Sequence, residues 1–107
     1  MTGVTVFAGD FASQPLVFAH LLDTADQHGL ALDLDHVEVI QGAPSRRLAH
    51  VFSAEDTARI AAARDPHDTL VLIFPEALIP GARLFKATPV LHPIGEAHPI
   101  RARSLAP

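Results

Sequence analysis

A glutamate and a histidine in the first half of the chain have the types and spacing for acid–base chemistry. Glu38 lies in the alternating segment His36–Gln41, and His50 lies in a second alternating segment, Arg47–Phe52. If the two segments pair as a β-hairpin with their apolar residues in register, Glu38 lies opposite His50. A carboxylate beside an imidazole raises the imidazole pKa and orients one ring nitrogen. The pattern predicts His50 as a catalytic base and Glu38 as its orienting partner; the alternative is a solvent-exposed cross-strand pair without a catalytic role.

Four further residues are predicted ligand contacts around the same hairpin. In that register His36 lies opposite Phe52, on the face that also carries the Glu38 side chain. The hairpin turn ends in Arg46 and Arg47, whose guanidinium groups beside exposed backbone suit a phosphate or carboxylate ligand. An ordinary solvated turn is the alternative, since two adjacent arginines do not make a phosphate-binding motif.

Metal and cofactor motifs are not evident in the sequence. Two groups contain side chains of metal-binding type: His92, Glu96 and His98, and Asp33, Asp35 and His36. Neither group has a recognised metal-binding spacing, and the chain has no cysteine and no glycine-rich phosphate-binding motif. The sequence therefore predicts no metal and no cofactor, and it leaves open whether His92, Glu96 and His98 bind a metal.

The composition is that of a folded domain rather than a nucleic-acid or membrane protein. Of the 107 residues, 49% are hydrophobic and 19% are charged, which argues against disorder. The formal net charge of −4 and the lack of a basic stripe argue against nucleic-acid binding. No apolar stretch approaches the roughly 20 residues of a membrane span, and no signal peptide is evident. We expect a cytoplasmic protein.

The elements that would position these side chains follow from the hydrophobic pattern. The most apolar of them, Thr69–Phe74, reads as a strand buried on both faces. Helices from earlier in the chain can cover one of these faces, and the other face needs a second subunit or the C-terminal tail. The predicted elements, in chain order, are a strand at Val4–Ala8, a helix between Pro15 and Gly29, strands at His36–Gln41 and Arg47–Phe52, a helix at Ala54–Arg64 and a strand at Thr69–Phe74.

This order predicts an α+β protein with the ferredoxin-like βαββαβ fold. In that fold a four-stranded antiparallel sheet carries two helices on one face. A thioredoxin-like or small Rossmann-like sheet is the alternative, and it would require Arg47–Phe52 to be a loop. We expect the ferredoxin-like domain over residues 1–80. Residues 81–107 are an irregular extension, with an edge strand at Arg83–Leu91, that packs on the domain or on a partner subunit and ends in mobile residues.

The segment Leu48–Phe74 resembles the second half of small proteins of the dimeric α+β-barrel superfamily. The resemblance lies in a strand, the helix start Ser53-Ala54-Glu55-Asp56, a short helix, Asp65-Pro66 and a further strand. It implies a homodimer in which two sheets pack face to face, with a ligand cavity between sheet and helices. In that setting Glu38, His36 and His50 would lie near the interface.

A weaker resemblance links the chain to the PII-like group. It rests on Pro15–Leu30 followed by a strand and a hairpin. It implies a trimer that binds anionic effectors near the hairpin, with Arg46 and Arg47 as the contacts. The hairpin of this chain is short for that role.

Three functions remain open at this point. The first is an oligomeric ligand-binding or regulatory protein, expected to be a homodimer, that holds a small organic or anionic metabolite in a sheet-lined cavity. The second is a dimeric-barrel enzyme of the isomerase, lyase or cofactor-free oxygenase type, with His50 as base and Glu38 as its partner. The third is a protein-interaction module that uses an apolar sheet face and the tail.

Overall fold

The computed structural model of the chain describes residues 3–79 and 81–100, and these contain four strands and three α-helices. The elements are β1 (Val4–Gly9), α1 (Gln14–Gln27), β2 (Val37–Gln41), α2 (Ser45–Ala49), α3 (Ala54–Arg64), β3 (Thr69–Ile73) and β4 (His92–Ala97). Single 3-10 turns occupy Leu34–His36 and Pro75–Ala77. In the described ranges, no helix combines the length and the apolar character that crossing a membrane requires.

The four strands form one antiparallel sheet in the order β2-β3-β1-β4. Val71 of β3 lies opposite Val39 of β2 on one side and opposite Phe7 of β1 on the other. Every residue of β3 is buried, as its continuous apolar run predicts. The protein is therefore an α+β protein built around β3 and β1, with β2 and β4 at the edges of the sheet.

Helices cover both faces of the sheet, and two core clusters separate the layers. The cluster on the α1 face includes Val17, Leu21, Phe7, Val71 and Ile73. The cluster on the opposite face, under α2 and α3, includes Leu48, Phe52, Ile60, Leu70 and Leu72. Alternate residues of β3 thus enter opposite clusters, as the two-residue period of a strand requires.

The predicted strand at Arg47–Phe52, and with it the hairpin, is wrong. Residues 45–49 form α2, and the partner of β2 is β3. Leu48 and Phe52 share a side in an extended chain, but they also lie four residues apart, a spacing that places both on one face of a helix. Both are buried, and the N–H of Phe52 donates to the carbonyl of Leu48 at 2.8 Å. Leu48 and Phe52, which suggested a strand in the sequence, are therefore also compatible with a helical turn.

The prediction that both helices lie on one face is also wrong. Because α1 packs on one face of β3 and α2 and α3 pack on the other, helices of this chain cover both faces. Phe85 and Leu91, from the segment after residue 80, add to the α1 side. A second subunit is not needed to bury β3, so the homodimer loses that support and stays a prediction.

The last strand lies further along the chain than the predicted Arg83–Leu91. Residues 92–97 form β4, which pairs with β1 and carries Pro93 and Gly95. Both residue types are typical of an edge strand, because proline lacks an N–H group and glycine weakens a strand interior. The tail that the sequence predicts to be mobile lies, from residue 101 onward, outside the described residues.

Candidate functional site: a cavity at one end of the sheet

The predicted pair of Glu38 and His50 requires a hairpin that the structure does not contain. Glu38 lies opposite Leu72 of β3, and its Oε2 accepts a hydrogen bond from Nη2 of Arg47 at 2.6 Å. His50 is exposed at the C-terminal end of α2, and its ring has no hydrogen-bond or ion-pair partner among the described residues. Helix formation at Ser45–Ala49 brings Arg47, rather than His50, onto Glu38.

The other predicted ligand contacts do not form one site. Phe52 is 1% exposed inside the core under α2 and α3, so its ring faces no open surface. Arg46 is exposed on α2, and its side chain has no hydrogen-bond or ion-pair partner among the described residues. His36 lies in the 3-10 turn before β2, with Nε2 3.8 Å from Oδ2 of Asp33. Arg47 is bound to Glu38.

Neither of the two sequence groups with metal-binding side chains forms a metal site. Within residues 3–79 and 81–100, no group of three or more histidine, aspartate or glutamate side chains is arranged to hold a metal ion. His92 and Glu96 both lie in β4, where His92 is opposite Ala8 and Glu96 is opposite Thr5, at the two ends of its pairing with β1.

A cavity of about 690 Å³ lies where β1 begins and where β3 and β4 end. Its floor consists of three residues on three neighbouring strands: Thr5 of β1 lies opposite Ile73 of β3 on one side and opposite Glu96 of β4 on the other. Directly opposite residues in a sheet project their side chains from the same face. These three side chains therefore line one continuous surface on the α1 face of the sheet.

The segment after β3 forms the wall of the cavity. Its lining residues include Phe74, Pro75, Glu76, Leu78, Ile79 and Leu84. The N–H of Phe74 donates to the carbonyl of His36, and the N–H of Asp33 donates to the carbonyl of Ala77. Leu78 also forms an isolated β-bridge with Leu32. These backbone bonds hold the wall against the segment that precedes β2, so its position does not depend on a ligand.

Glu76 and Glu96 make the cavity acidic. They are the only charged side chains among its described lining residues, and neither carboxylate has a hydrogen-bond or ion-pair partner in the described part of the chain. Among the described lining residues, Thr5 supplies the one other polar side chain. The site can therefore contact an apolar group along its wall and a positively charged or hydrogen-bond-donating group at its two carboxylates.

A second polar cluster lies at the opposite end of the sheet. Nδ1 of His67 donates to Oδ2 of Asp10 at 2.9 Å, and the N–H of Asp68 donates to Oδ1 of Asp10 at 3.1 Å. The rings of His67 and His92 stack with their centroids 4.6 Å apart. The hydrogen bond with His67 is the main reason that the pKa of Asp10 lies below its ordinary value, and the Asp68 N–H and the charges of the two histidines act in the same direction against partial desolvation.

Sequence reasoning missed this cluster because Asp10, His67 and His92 are far apart in the chain. The signal that could have found it is positional: an acid directly after β1 and a histidine just before β3 meet if the two strands are antiparallel neighbours. None of the three residues lines the cavity. Asp10 binds groups that precede β3, so we assign the cluster to the attachment of strand ends rather than to ligand binding.

Known proteins supply no assignment for either site. Comparisons of the chain with protein-family models, with curated proteins and with solved structures find no significant match. The resemblances to the dimeric α+β-barrel superfamily and to the PII-like group therefore stay predictions.

Proposed function

We propose that this protein binds a small organic molecule in the cavity between the sheet and the segment 74–84. The observation that carries the proposal is the cavity itself, with a volume of about 690 Å³ and an apolar wall. Ligand-binding cavities typically have volumes of about 300–1,000 Å³ and apolar linings with a few polar groups. Thr5, Glu76 and Glu96 are such polar groups here.

A binding role fits this cavity better than a catalytic one. Nucleophilic catalysis needs a nucleophile in hydrogen-bond contact with a base. The hydroxyl of Thr5 makes no hydrogen bond with Glu76, with Glu96 or with any other described residue. The enzyme alternative relied on His50 and Glu38, which lie outside the cavity. An anionic metabolite is also a poor fit, because both charged lining residues are acidic.

The finer fold assignment is part of the same proposal. Four antiparallel strands support a ferredoxin-like relationship. The element order departs from βαββαβ, since α2 and α3 lie between β2 and β3 and the described residues between β3 and β4 contain a 3-10 turn but no α-helix. We therefore treat the protein as a variant of that fold, with the second helical connection moved one position earlier in the chain.

The test is a titration with an uncharged probe that fits the cavity. Benzyl alcohol is added to ¹⁵N-labelled protein, and amide chemical shifts are followed by NMR. We expect saturable shifts at Thr5, Ile73 and Glu96 and at the lining residues Phe74, Glu76, Leu78, Ile79, Gly81, Ala82 and Leu84. Shifts that do not saturate, or that are centred elsewhere, would contradict the proposal.

A pair of matched variants decides whether the binding is in the cavity. Ala82→Trp places a large side chain at a lining residue and should abolish the saturable shifts. Ala63→Trp places the same side chain on the exposed surface of α3 and should leave them unchanged. If both variants bind benzyl alcohol like the wild type, the probe does not occupy this cavity.

A further inference from the structure

We propose that the ligand of this cavity is an organic cation, an ammonium group on an apolar body; this inference rests on the proposed function and concerns its ligand class. The wall and the floor of the cavity contribute one carboxylate each: Glu76 follows β3, and Glu96 lies in β4. No lysine, arginine or histidine is among the described lining residues.

No cation among the described residues neutralises either carboxylate, in contrast to two other acidic side chains of this protein. Glu38 is paired with Arg47, and Asp56 is paired with Arg59. Glu76 and Glu96 have no ion-pair partner in the described residues. Arg59 approaches β4, but its Nη2 is 3.5 Å from the backbone carbonyl of Glu96, so it leaves the carboxylate free.

An apolar surface beside the carboxylates favours a cation over an anion of the same size. The wall contributes Leu78, Ile79 and Leu84, and the floor contributes Ile73. Charges act over longer effective range beside low-dielectric material than in bulk water. Two negative charges at one cavity therefore raise the local concentration of a cation and oppose a carboxylate ligand.

The shape of the site selects an organic cation rather than a bare metal ion. Calcium binds six to eight oxygen ligands, and magnesium needs near-octahedral coordination. The described residues contain no group of three or more acidic or histidine side chains arranged for a metal. A volume of about 690 Å³ with aliphatic walls instead accommodates an apolar body that carries the charge.

The experiment compares three probes that differ in one substituent: benzylamine, benzyl alcohol and benzoate. At pH 7 they carry a positive charge, no charge and a negative charge. Dissociation constants come from the same NMR titration of the full chain. We expect benzylamine to bind about tenfold more tightly than benzyl alcohol, because each of the two exposed carboxylates contributes a modest ion-pair energy, and benzoate to bind most weakly. The preference should fall in high salt.

Charge-neutralising variants identify the groups responsible. Glu76→Gln and Glu96→Gln should each reduce the preference for benzylamine over benzyl alcohol, and the double variant should remove it. Glu55→Gln changes an exposed glutamate in the first turn of α3, outside the cavity, and should leave the preference intact. A preference that survives the double variant would overturn the inference.

The outcomes of this titration distinguish a wrong ligand class from a wrong proposed function. Saturable binding of benzyl alcohol in the cavity, without tighter binding of benzylamine in either the wild type or the variant R101Q/R103Q, would keep the proposed function and overturn the cation. No saturable binding of any probe would overturn both. Because Arg101 and Arg103 are themselves cations in the same chain, the titrations are repeated in the variant R101Q/R103Q. Equal affinity for benzylamine and benzyl alcohol in both backgrounds would be decisive against an organic cation.

Discussion

Oδ2 of Asp10 lies 2.9 Å from Nδ1 of His67, so a carboxylate directly after β1 holds an imidazole just before β3. Oδ1 of the same carboxylate accepts the backbone N–H of Asp68. The ring of His67 in turn stacks on His92, the first residue of β4. The carboxylate of Asp10 therefore connects the ends of β1 and β3, and the ring of His67 extends the contact to β4.

We expect the contribution of Asp10 to stability to depend on pH. Its pKa is lowered in the folded protein, chiefly by the hydrogen bond with His67, so the unfolded chain binds the proton more tightly. The stabilisation is therefore fully present above the unfolded-state pKa of about 4 and is lost as the pH falls through the lower folded-state pKa. Asp10→Asn should be less stable than the wild type at pH 7, and the difference should shrink below pH ~4.

The measurement is urea unfolding of both proteins at a series of pH values. Asp26→Asn is the control, because Asp26 is exposed on α1 and its side chain has no partner among the described residues. Its effect on the free energy of unfolding should not follow the pattern of Asp10→Asn. If the difference between wild type and Asp10→Asn were the same at pH 7 and at pH ~3, Asp10 would not be acting through its charge.

We expect Glu38 and Arg47 to be energetically coupled. Nη2 of Arg47 lies 2.6 Å from Oε2 of Glu38, with 25% of the glutamate and 52% of the arginine side chain exposed. Such a partly exposed pair contributes about 0.2–1 kcal/mol and weakens in high salt. A double-mutant cycle of Glu38→Gln and Arg47→Gln in urea unfolding should show this coupling. A cycle of Glu38→Gln and His50→Ala should be additive, and coupling to His50 instead would contradict the position of α2.

Much of the fold could be predicted where local pattern and burial agree. The helix at Ala54–Arg64 has the predicted bounds, and Oγ of Ser53 accepts the N–H of Asp56 as a capping residue does. β3 has the predicted start at Thr69, because a short continuous run of branched apolar residues is typical of a strand buried on both faces. These signals reside in neighbouring residues and need no tertiary information.

The remaining features of the fold and the cavity depend on contacts between residues that are far apart in the sequence. Leu48 and Phe52 fit both an alternating strand and a helical turn, and only burial under α2 and α3 decides between them. β4 has exposed residues, a proline and a glycine, so it lacks an alternating apolar pattern. The cavity joins Thr5, Ile73 and Glu96, whose adjacency follows from a strand order that local patterns do not specify.

We expect Phe52 to act in the core and not in ligand binding. Its side chain is 1% exposed, so Phe52→Ala should lower the free energy of unfolding by about 3–5 kcal/mol. Phe52→Leu, which keeps most of the volume, should cost far less and should keep the binding of benzyl alcohol. Arg46→Ala is the matched control, since Arg46 is exposed on α2, the short helix that precedes Phe52, and should change stability by less than about 0.5 kcal/mol. A stable Phe52→Ala protein would contradict the packing of α2.

A tight contact between Gly9, the last residue of β1, and the segment before β4 predicts a requirement for glycine at position 9. A Cβ atom at Gly9 would overlap the backbone carbonyl oxygen of Val90 and lie 3.0 Å from Cε1 of Phe11. The carbonyl cannot move away easily, because Leu91 is fully buried and its N–H is bonded to Thr88. We expect Gly9→Ala to lower the free energy of unfolding by about 1–3 kcal/mol, the usual cost of an overpacked interior.

Gly3→Ala serves as the comparison variant, because a Cβ atom at Gly3 also meets a backbone carbonyl but at a longer distance. Its Cβ would meet the carbonyl oxygen of Ala97 at 3.0 Å, a tight contact but a looser one than at Gly9. Urea unfolding should therefore rank the two variants, with Gly9→Ala the less stable. Gly3 meets the end of β4, and Gly9 meets the segment before β4. A Gly9→Ala protein as stable as the wild type would mean that residues 88–91 do not pack against the end of β1.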